Sequence, residues 1–209
     1  MNRKSKFQTN IAKDDCSNRI GYLLPNQQAP EFSGIAVING EFKEIKLSDY
    51  REKYLVFIFY PLDFSCVCST ELMAFGERIR EFRQINCEVL ACSTDNRFCH
   101  RAWINTEKDK GGLGRICFPL LADKSFEISR AFKVLNEDGG VASRSLFIID
   151  NKGRVKHSAT NDTAIGRSVD ETLRLVQAFR HKDKHGELCP VDWEPGDEGI
   201  KPYSQQKKM

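Results

Sequence analysis

An α/β sandwich on a mixed central sheet is the fold this sequence predicts, with an N-terminal hairpin and an extended C-terminal arm. Three observations predict it. Strand-like and helix-like segments alternate along much of the chain. YLVFIFY (54 to 60) is β-branched and aromatic without polar alternation, as a strand covered on both faces is. AVINGEFKEI (36 to 45) carries Asn39-Gly40 between apolar residues, the signal of a tight antiparallel hairpin.

Each further element follows from its own pattern. In TELMAFGERIREF (70 to 82), Leu72, Phe75, Ile79 and Phe82 recur at three-four spacing and predict an amphipathic helix after the buried strand. CEVLACS (87 to 93) predicts the next strand, RFCHRAWINTE (97 to 107) a helix, and GGLG (111 to 114) a loop. SLFIID, NKG and RVKHSAT (145 to 160) predict strand, turn and strand. Ser168 with Glu171 forms a capping box that opens SVDETLRLVQAF, whose Val169, Leu173, Val176 and Phe179 give an apolar stripe. From His181 onward Gly, Pro and charge dominate, which predicts an arm outside the core. The expected organisation is a flexible tail over 1–25, a compact domain over 26–180 and the arm over 181–209.

The 209 residues, 40% of them hydrophobic, suffice for one core. Thirty-two basic against twenty-nine acidic residues leave a formal charge of +3, and no stretch joins dense Lys/Arg to spaced aromatics, so no nucleic acid is expected as a partner. No apolar run approaches the roughly 20 residues of a membrane span, so no membrane partner is expected either. The first residues lack an apolar signal core and carry Asp14 and Asp15. A cytoplasmic location is therefore expected, with the secretory pathway as the alternative if a leader was removed. Eight cysteines (16, 66, 68, 87, 92, 99, 117, 189) do not form the dense framework of a small secreted scaffold, and reactivity or burial explains them better. Cys87, Cys92, Cys99 and Cys117 are expected as buried structural thiols, and Cys16 as exposed.

DFSCVCSTE (63 to 71) sets two cysteines two positions apart where a buried strand meets a helix. A metal half-site, a disulfide, or a nucleophile with a bystander could each explain it. Unpaired N–H groups and the positive end of the helix dipole favour a thiolate there, and position 68 fits that place better than 66. Ser69 and Thr70 are expected to cap the helix, and Ser65 to offer its hydroxyl to the sulfur or to a bound oxygen. A helix terminus supplies only about 0.3 to 1 kcal/mol, so a cation is also needed, with Arg144 and Arg167 the leading candidates. Cys66 is expected to pack as a small hydrophobe. A zinc site from His181, His185 and Cys189 is disfavoured because Gly186 and Pro190 interrupt a helix.

These motifs together resemble a typical two-cysteine peroxiredoxin, from about Ala29 through Pro202. FYPLDFSCVCSTE is similar to the family's peroxidatic loop, which implies Pro61 and Ser65 as loop residues and Cys68 as the peroxidatic nucleophile. SRSLFIID and NDTAIGRSVDE imply Arg144 and Arg167 as the active-site arginines, Glu71 the acid that orients them, and HGELCP the resolving Cys189. The hairpin and last-helix segments look most like the secretory-pathway branch.

The resemblance implies a thioredoxin-like fold and a thiol peroxidase acting on hydrogen peroxide and small alkyl hydroperoxides. It implies no cofactor and no metal. Cys68 would become a sulfenic acid and then an intersubunit disulfide with Cys189, reduced by thioredoxin or a similar dithiol. The implied assembly is a homodimer, with a decamer as a ring of dimers. Departures are Ser69 in place of the family's proline, Cys66 in place of its aromatic residue, and changes in SATNDTAIGRS and EISRAFKV. They motivate a competing expectation, a divergent binding or holdase protein with weak turnover. GGLG is half of a device that sensitises relatives to overoxidation; Tyr203-Ser204 replaces the Tyr-Phe half, so resistance is expected.

Overall fold

The computed structural model describes residues 22–202. Cys16, most of the expected tail and Tyr203 lie outside the described residues. The hairpin pairs β1 (Ser33–Ile38) with β2 (Glu41–Lys46), in register from Ser33 opposite Lys46 to Ile38 opposite Glu41. Asn39 at φ 51° and Gly40 at φ 84° make its turn, the left-handed pair that Asn-Gly adopts with little strain. The chain continues through β3 (Tyr54–Phe59), α1 (Cys66–Glu77), α2 (Ile79–Gln84), β4 (Cys87–Ser93), α3 (Arg97–Asn105), β5 (Leu120–Ala122) and α4 (Glu127–Ala131). A two-strand ribbon of β6 (Leu135–Asn136) and β7 (Val141–Ala142) precedes β8 (Arg144–Ile149), β9 (Val155–Asn161) and α5 (Val169–His185).

Seven strands form one sheet in the order β2-β1-β5-β4-β3-β8-β9. β3, β4 and β5 are parallel, while β1 against β5, β3 against β8 and β8 against β9 are antiparallel. The sheet is mixed, as the alternation of segments predicts. β3 lies inside it, and all six of its residues are buried. Its side chains alternate between two cores. Val56 and Ile58, with Tyr60 just beyond, pack with Leu72 and Phe75 of α1, Phe82 of α2, Trp103 of α3 and Val176 of α5. Leu55, Phe57 and Phe59 face the other way, toward Phe32, Ile128 of α4, Phe132 and Phe147. Edge-on aromatic pairs, such as Phe57 with Phe132 at 5.0 Å, order that second core. Each fully buried Phe contributes roughly 1.5–3 kcal/mol, so two covered faces make β3 the firmest anchor available for the residues that follow it.

The helix predicted over 70–82 differs in two ways. It starts at Cys66, four residues earlier, and divides at Arg78, whose φ of −102° and ψ of 11° end α1 and begin α2. Apolar spacing misses this break because Phe75, Ile79 and Phe82 still reach one core across it. Ser69 and Thr70 do not cap. They lie inside α1, where Ser69 Oγ donates to the Ser65 carbonyl at 2.9 Å and Thr70 Oγ1 to the Val67 carbonyl at 2.7 Å. Ser65 occupies the cap position, and its side chain makes no capping bond.

The capping box at Ser168 is half formed. Ser168 Oγ accepts from the Glu171 amide at 3.1 Å, but the Glu171 carboxylate turns to Arg174 Nε at 2.6 Å. α5 runs on to His185 and stops at Gly186, whose φ is 69°. Lys182, Lys184 and His185 in its last turn suit the negative end of the dipole, which explains a helix longer than its apolar stripe. The arm beyond it folds back. Trp193 is buried and meets the His181 ring at 5.0 Å, and Leu188 pairs with Ile200. The arm packs on α5, and none of its described residues belongs to either core cluster.

Candidate active site

The C-terminal end of β3 delivers the chain into a loop, and the loop delivers it into α1. Phe64 turns that corner at φ 56° and Ser65 returns to extended backbone at φ −85°, so α1 begins with its axis fixed against the sheet. Cys68 is the third helical residue. It is fully buried, on the side of α1 that faces β3, whereas Cys66 is exposed. Cys66 therefore does not pack as a small hydrophobe.

The cation that the sulfur needs comes from β8. Arg144, the first residue of that strand, places Nη2 3.5 Å from Cys68 Sγ. Its guanidinium cannot swing away, because Nε and Nη2 donate to the Thr163 carbonyl at 3.1 and 2.7 Å and Nη1 bonds Glu71 Oε2. Only 2% of each side chain in the Arg144–Glu71 pair is exposed, a depth at which a charge without a partner costs several kcal/mol. Glu71 also accepts from Arg167 three times: from the backbone amide and Nε at 2.7 Å, and from Nη2 at 2.8 Å. Burial alone would raise the Glu71 carboxyl. The hydrogen bonds and charge of Arg167, with the charge of Arg144, outweigh it and hold the carboxyl below the ordinary glutamate value.

The two arginines differ in what they face. Arg144 reaches the sulfur. Arg167 donates Nη1 to the carbonyls of Phe59 at 2.8 Å and Ser145 at 2.6 Å and gives the rest of its fork to Glu71, so it ties β3, β8 and α1 together. Glu71 lies in the second turn of α1, beyond reach of the helix dipole, and its place is fixed by these guanidinium bonds. Pro61 is half-buried at the exit from β3, and Ser65 is half-buried at the cap of α1.

Cys189 lies elsewhere in the chain. Its half-buried thiol donates to the Ala178 carbonyl of α5 at 3.5 Å. Burial pushes its pKa up and Glu187 adds to that, against a lowering by Arg174. His181 and His185 do share the α5 surface, but Cys189 falls past Gly186, and His181 Nε2 is 3.0 Å from Glu187 Oε2. The remaining cysteines divide. Cys87 and Cys92 are buried in β4 with thiols raised by burial, as expected, but Cys99 is half-buried and Cys117 exposed.

Sequence reasoning missed the group that holds the loop from below. Asp63 Oδ1 accepts from the Tyr60 hydroxyl at 2.9 Å, Asp63 Oδ2 lies 2.8 Å from His100 Nδ1, and the Asp63 amide donates to Asp95 Oδ2 at 2.9 Å. His100 is fully buried. Asp63 sits inside the quoted DFSCVCSTE, and a histidine on the apolar side of the predicted α3 was the available signal. Among the described residues, Asp63, Asp95 and Cys99 are the one acidic and thiol cluster close enough to hold a metal, and both carboxylates already accept these bonds. Thr163 could not have been found, because it contributes a backbone carbonyl.

Comparison with known proteins is consistent with this geometry. Residues 25–158 match the AhpC/TSA family, and residues 178–209 match the C-terminal domain of 1-Cys peroxiredoxin. The chain is 61% identical over 177 residues to peroxiredoxin-4 of Bos taurus, covering 85% of this chain and 65% of that protein. It is 59% identical over 168 residues to peroxiredoxin 2 of Drosophila melanogaster, covering 80% of this chain and 87% of that one. The reduced 2-Cys peroxiredoxin of Plasmodium vivax superposes with a TM-score of 0.81 at 40% identity, over 84% of this chain and 91% of that one.

Proposed function

The chain belongs to the AhpC/TSA family, the peroxiredoxins, with their thioredoxin-like fold and thiol-dependent peroxidase chemistry, and from that premise we propose that Cys68 is its peroxidatic residue. One observation carries the reading: a buried sulfur in the first turn of a helix lies 3.5 Å from a guanidinium that is itself fixed by Glu71 and Thr163. Fixed donors of this kind stabilise charge as it develops and cost no reorganisation at the moment of reaction.

Cys68 thiolate attacks one peroxide oxygen in line with the O–O bond. The S–O bond forms, the O–O bond breaks, and the departing oxygen leaves as water or alcohol after taking a proton. Arg144 reaches the sulfur and is assigned to hold the peroxide oxygens with the hydroxyl of Ser65, while Pro61 is assigned to shield the sulfur from bulk water. Arg167 and Glu71 are positioning residues, since their bonds run to Arg144, α1 and the two strands. The sulfenic acid then condenses with Cys189 of a second copy, releasing water, and thioredoxin or a similar dithiol reduces the disulfide. Hydrogen peroxide and small alkyl hydroperoxides are the substrates, and a homodimer, or a decamer built as a ring of dimers, is the assembly. The divergent-holdase reading is not favoured.

We place 26–180 as the peroxidase domain and 181–209 as the arm that brings Cys189; the two family matches, 25–158 and 178–209, leave residues 159–177 between them. The cytoplasm is the compartment proposed, with the secretory pathway as the alternative, since the eight cysteines do not form the dense framework of a small secreted scaffold. No described helix is long and apolar enough to cross a membrane. The test is peroxide-dependent oxidation of thioredoxin, followed by mass spectrometry to locate the first oxidised cysteine. Oxidation beginning anywhere but Cys68 would overturn the assignment.

A further inference from the structure

Cys66 is the feature of the site that the mechanism above leaves unused. It is the first residue of α1 and is exposed, while Cys68 in the same turn is fully buried. Two residues along a helix turn about 200°, so with α1 closed the two sulfurs point to opposite sides and cannot bond. The closed helix thus keeps Cys66 clear of the peroxide reaction.

The first turn is built to open. Ser65 at the cap makes no side-chain bond to the helix amides, and the turn holds no acidic residue to complement the dipole. Position 66 is cysteine, without the fixed φ that a proline gives at the first helical position. The local side-chain bonds are those of Ser69 and Thr70 to the Ser65 and Val67 carbonyls, which bend helix starts and do not satisfy free amides. Phe64, immediately before, sits at φ 56°, a conformation an opened loop can relax.

We infer that Cys66 is a second resolving thiol, which attacks the sulfenic acid of Cys68 within the same chain once the first turn of α1 unwinds. The inference rests on Cys68 being the peroxidatic residue. The Cys66 thiol gives up its proton, its sulfur bonds to Cys68 Sγ, and the sulfenic oxygen leaves as water. Peroxide, the substrate of the proposed reaction, is the only oxidant consumed, and the dithiol reductant that serves the intersubunit disulfide returns both sulfurs to thiols. Proximity favours the step. A thiol two residues away has a high effective concentration and does not depend on a second subunit or on the arm leaving α5. The small ring makes the resulting disulfide labile, which suits a bond that must be reduced in every cycle.

The experiment compares full-length C189S with the C66S/C189S double variant, each treated with one equivalent and then graded excesses of hydrogen peroxide. Cleavage after Lys53 and Arg78 releases residues 54–78, which contain both sulfurs and no other cysteine. The expected result for C189S is that peptide lacking two hydrogens, restored by dithiol, with Cys68 sulfinic acid appearing only at several-fold higher peroxide than in the double variant. Equal sulfinic acid in both proteins, or Cys68 linked to a different cysteine, overturns the inference and leaves Cys68 as peroxidatic. Absence of any oxygen or disulfide on Cys68 overturns both. Because Cys66 is exposed, its replacement by serine leaves the core intact, and matching circular dichroism of the two proteins confirms a like comparison.

Discussion

Replacing Glu71 by alanine tests the site at its electrostatic centre. The carboxylate accepts three bonds from Arg167, at 2.7, 2.7 and 2.8 Å, and one from Arg144. Removing it leaves two buried guanidinium groups without the counter-charge they share. Truncating one partner of a buried pair costs about 3–5 kcal/mol, and the lost bonds are not additive beyond that. At about 2–4 °C per kcal/mol for a chain of this size, thermal unfolding should fall by roughly 6–20 °C.

Arg144, released on one side, should also lose its fixed aim at Cys68. Oxidation of Cys68 by peroxide should slow by about 10²–10³, the range seen when a fixed donor is removed. Glu71→Gln separates the two effects: it keeps the shape and one acceptor but removes the charge. The acid limb gives a further reading. Because the folded carboxyl is held below the ordinary value of about 4.3, its contribution is present above that pH and is lost as pH falls through the depressed value. Wild type should lose stability in that window more steeply than Glu71→Gln. Stopped-flow oxidation and thermal unfolding measure both quantities. A destabilisation under about 1 kcal/mol with unchanged oxidation would show that the carboxylate neither holds the arginines nor aims Arg144.

Three further outcomes are expected. Cys68→Ser should abolish peroxide consumption in stopped flow, whereas Cys66→Ser should leave the first oxidation step intact; equal losses would contradict the separate roles given to the two thiols. Mild peroxide should produce a linked dimer on a non-reducing gel, and Cys189→Ser should remove it; a dimer that persists assigns resolution across subunits to another cysteine. Gly112→Ala should destabilise the loop after α3, because an added Cβ would stand 1.9 Å from the Thr106 carbonyl oxygen, a backbone atom that cannot move aside alone. A loss of about 2 kcal/mol or more is expected from denaturant unfolding, and a neutral substitution would mean that the loop repacks freely.

What the sequence determined by itself is what depends on near neighbours in the chain. Asn39-Gly40 requires a left-handed turn wherever it lies, the uninterrupted apolar run of β3 requires cover on both faces, and the three-four spacing of Leu72, Phe75, Ile79 and Phe82 requires a helical surface against a core. The position of Cys68 near a helix start belongs to the same class, and the motif resemblance brought Arg144, Arg167, Glu71 and Cys189 into view.

The tertiary structure decided which groups meet. Nothing local distinguishes Arg144, aimed at the sulfur, from Arg167, turned toward Glu71 and two strand carbonyls, since that depends on the order β3-β8-β9 and on where α1 lies across it. The start of α1 at Cys66 in place of residue 70, and its break at Arg78, follow from packing on β3, because side-chain spacing is nearly blind to one irregular residue. The Tyr60–Asp63–His100 group and the Thr163 carbonyl bring together residues up to 95 positions from Cys68 in the chain, and a backbone acceptor carries no signature in any side chain. Exposure was decided there too: the helical turn of about 200° between positions 66 and 68 sends one thiol into the core and the other into water.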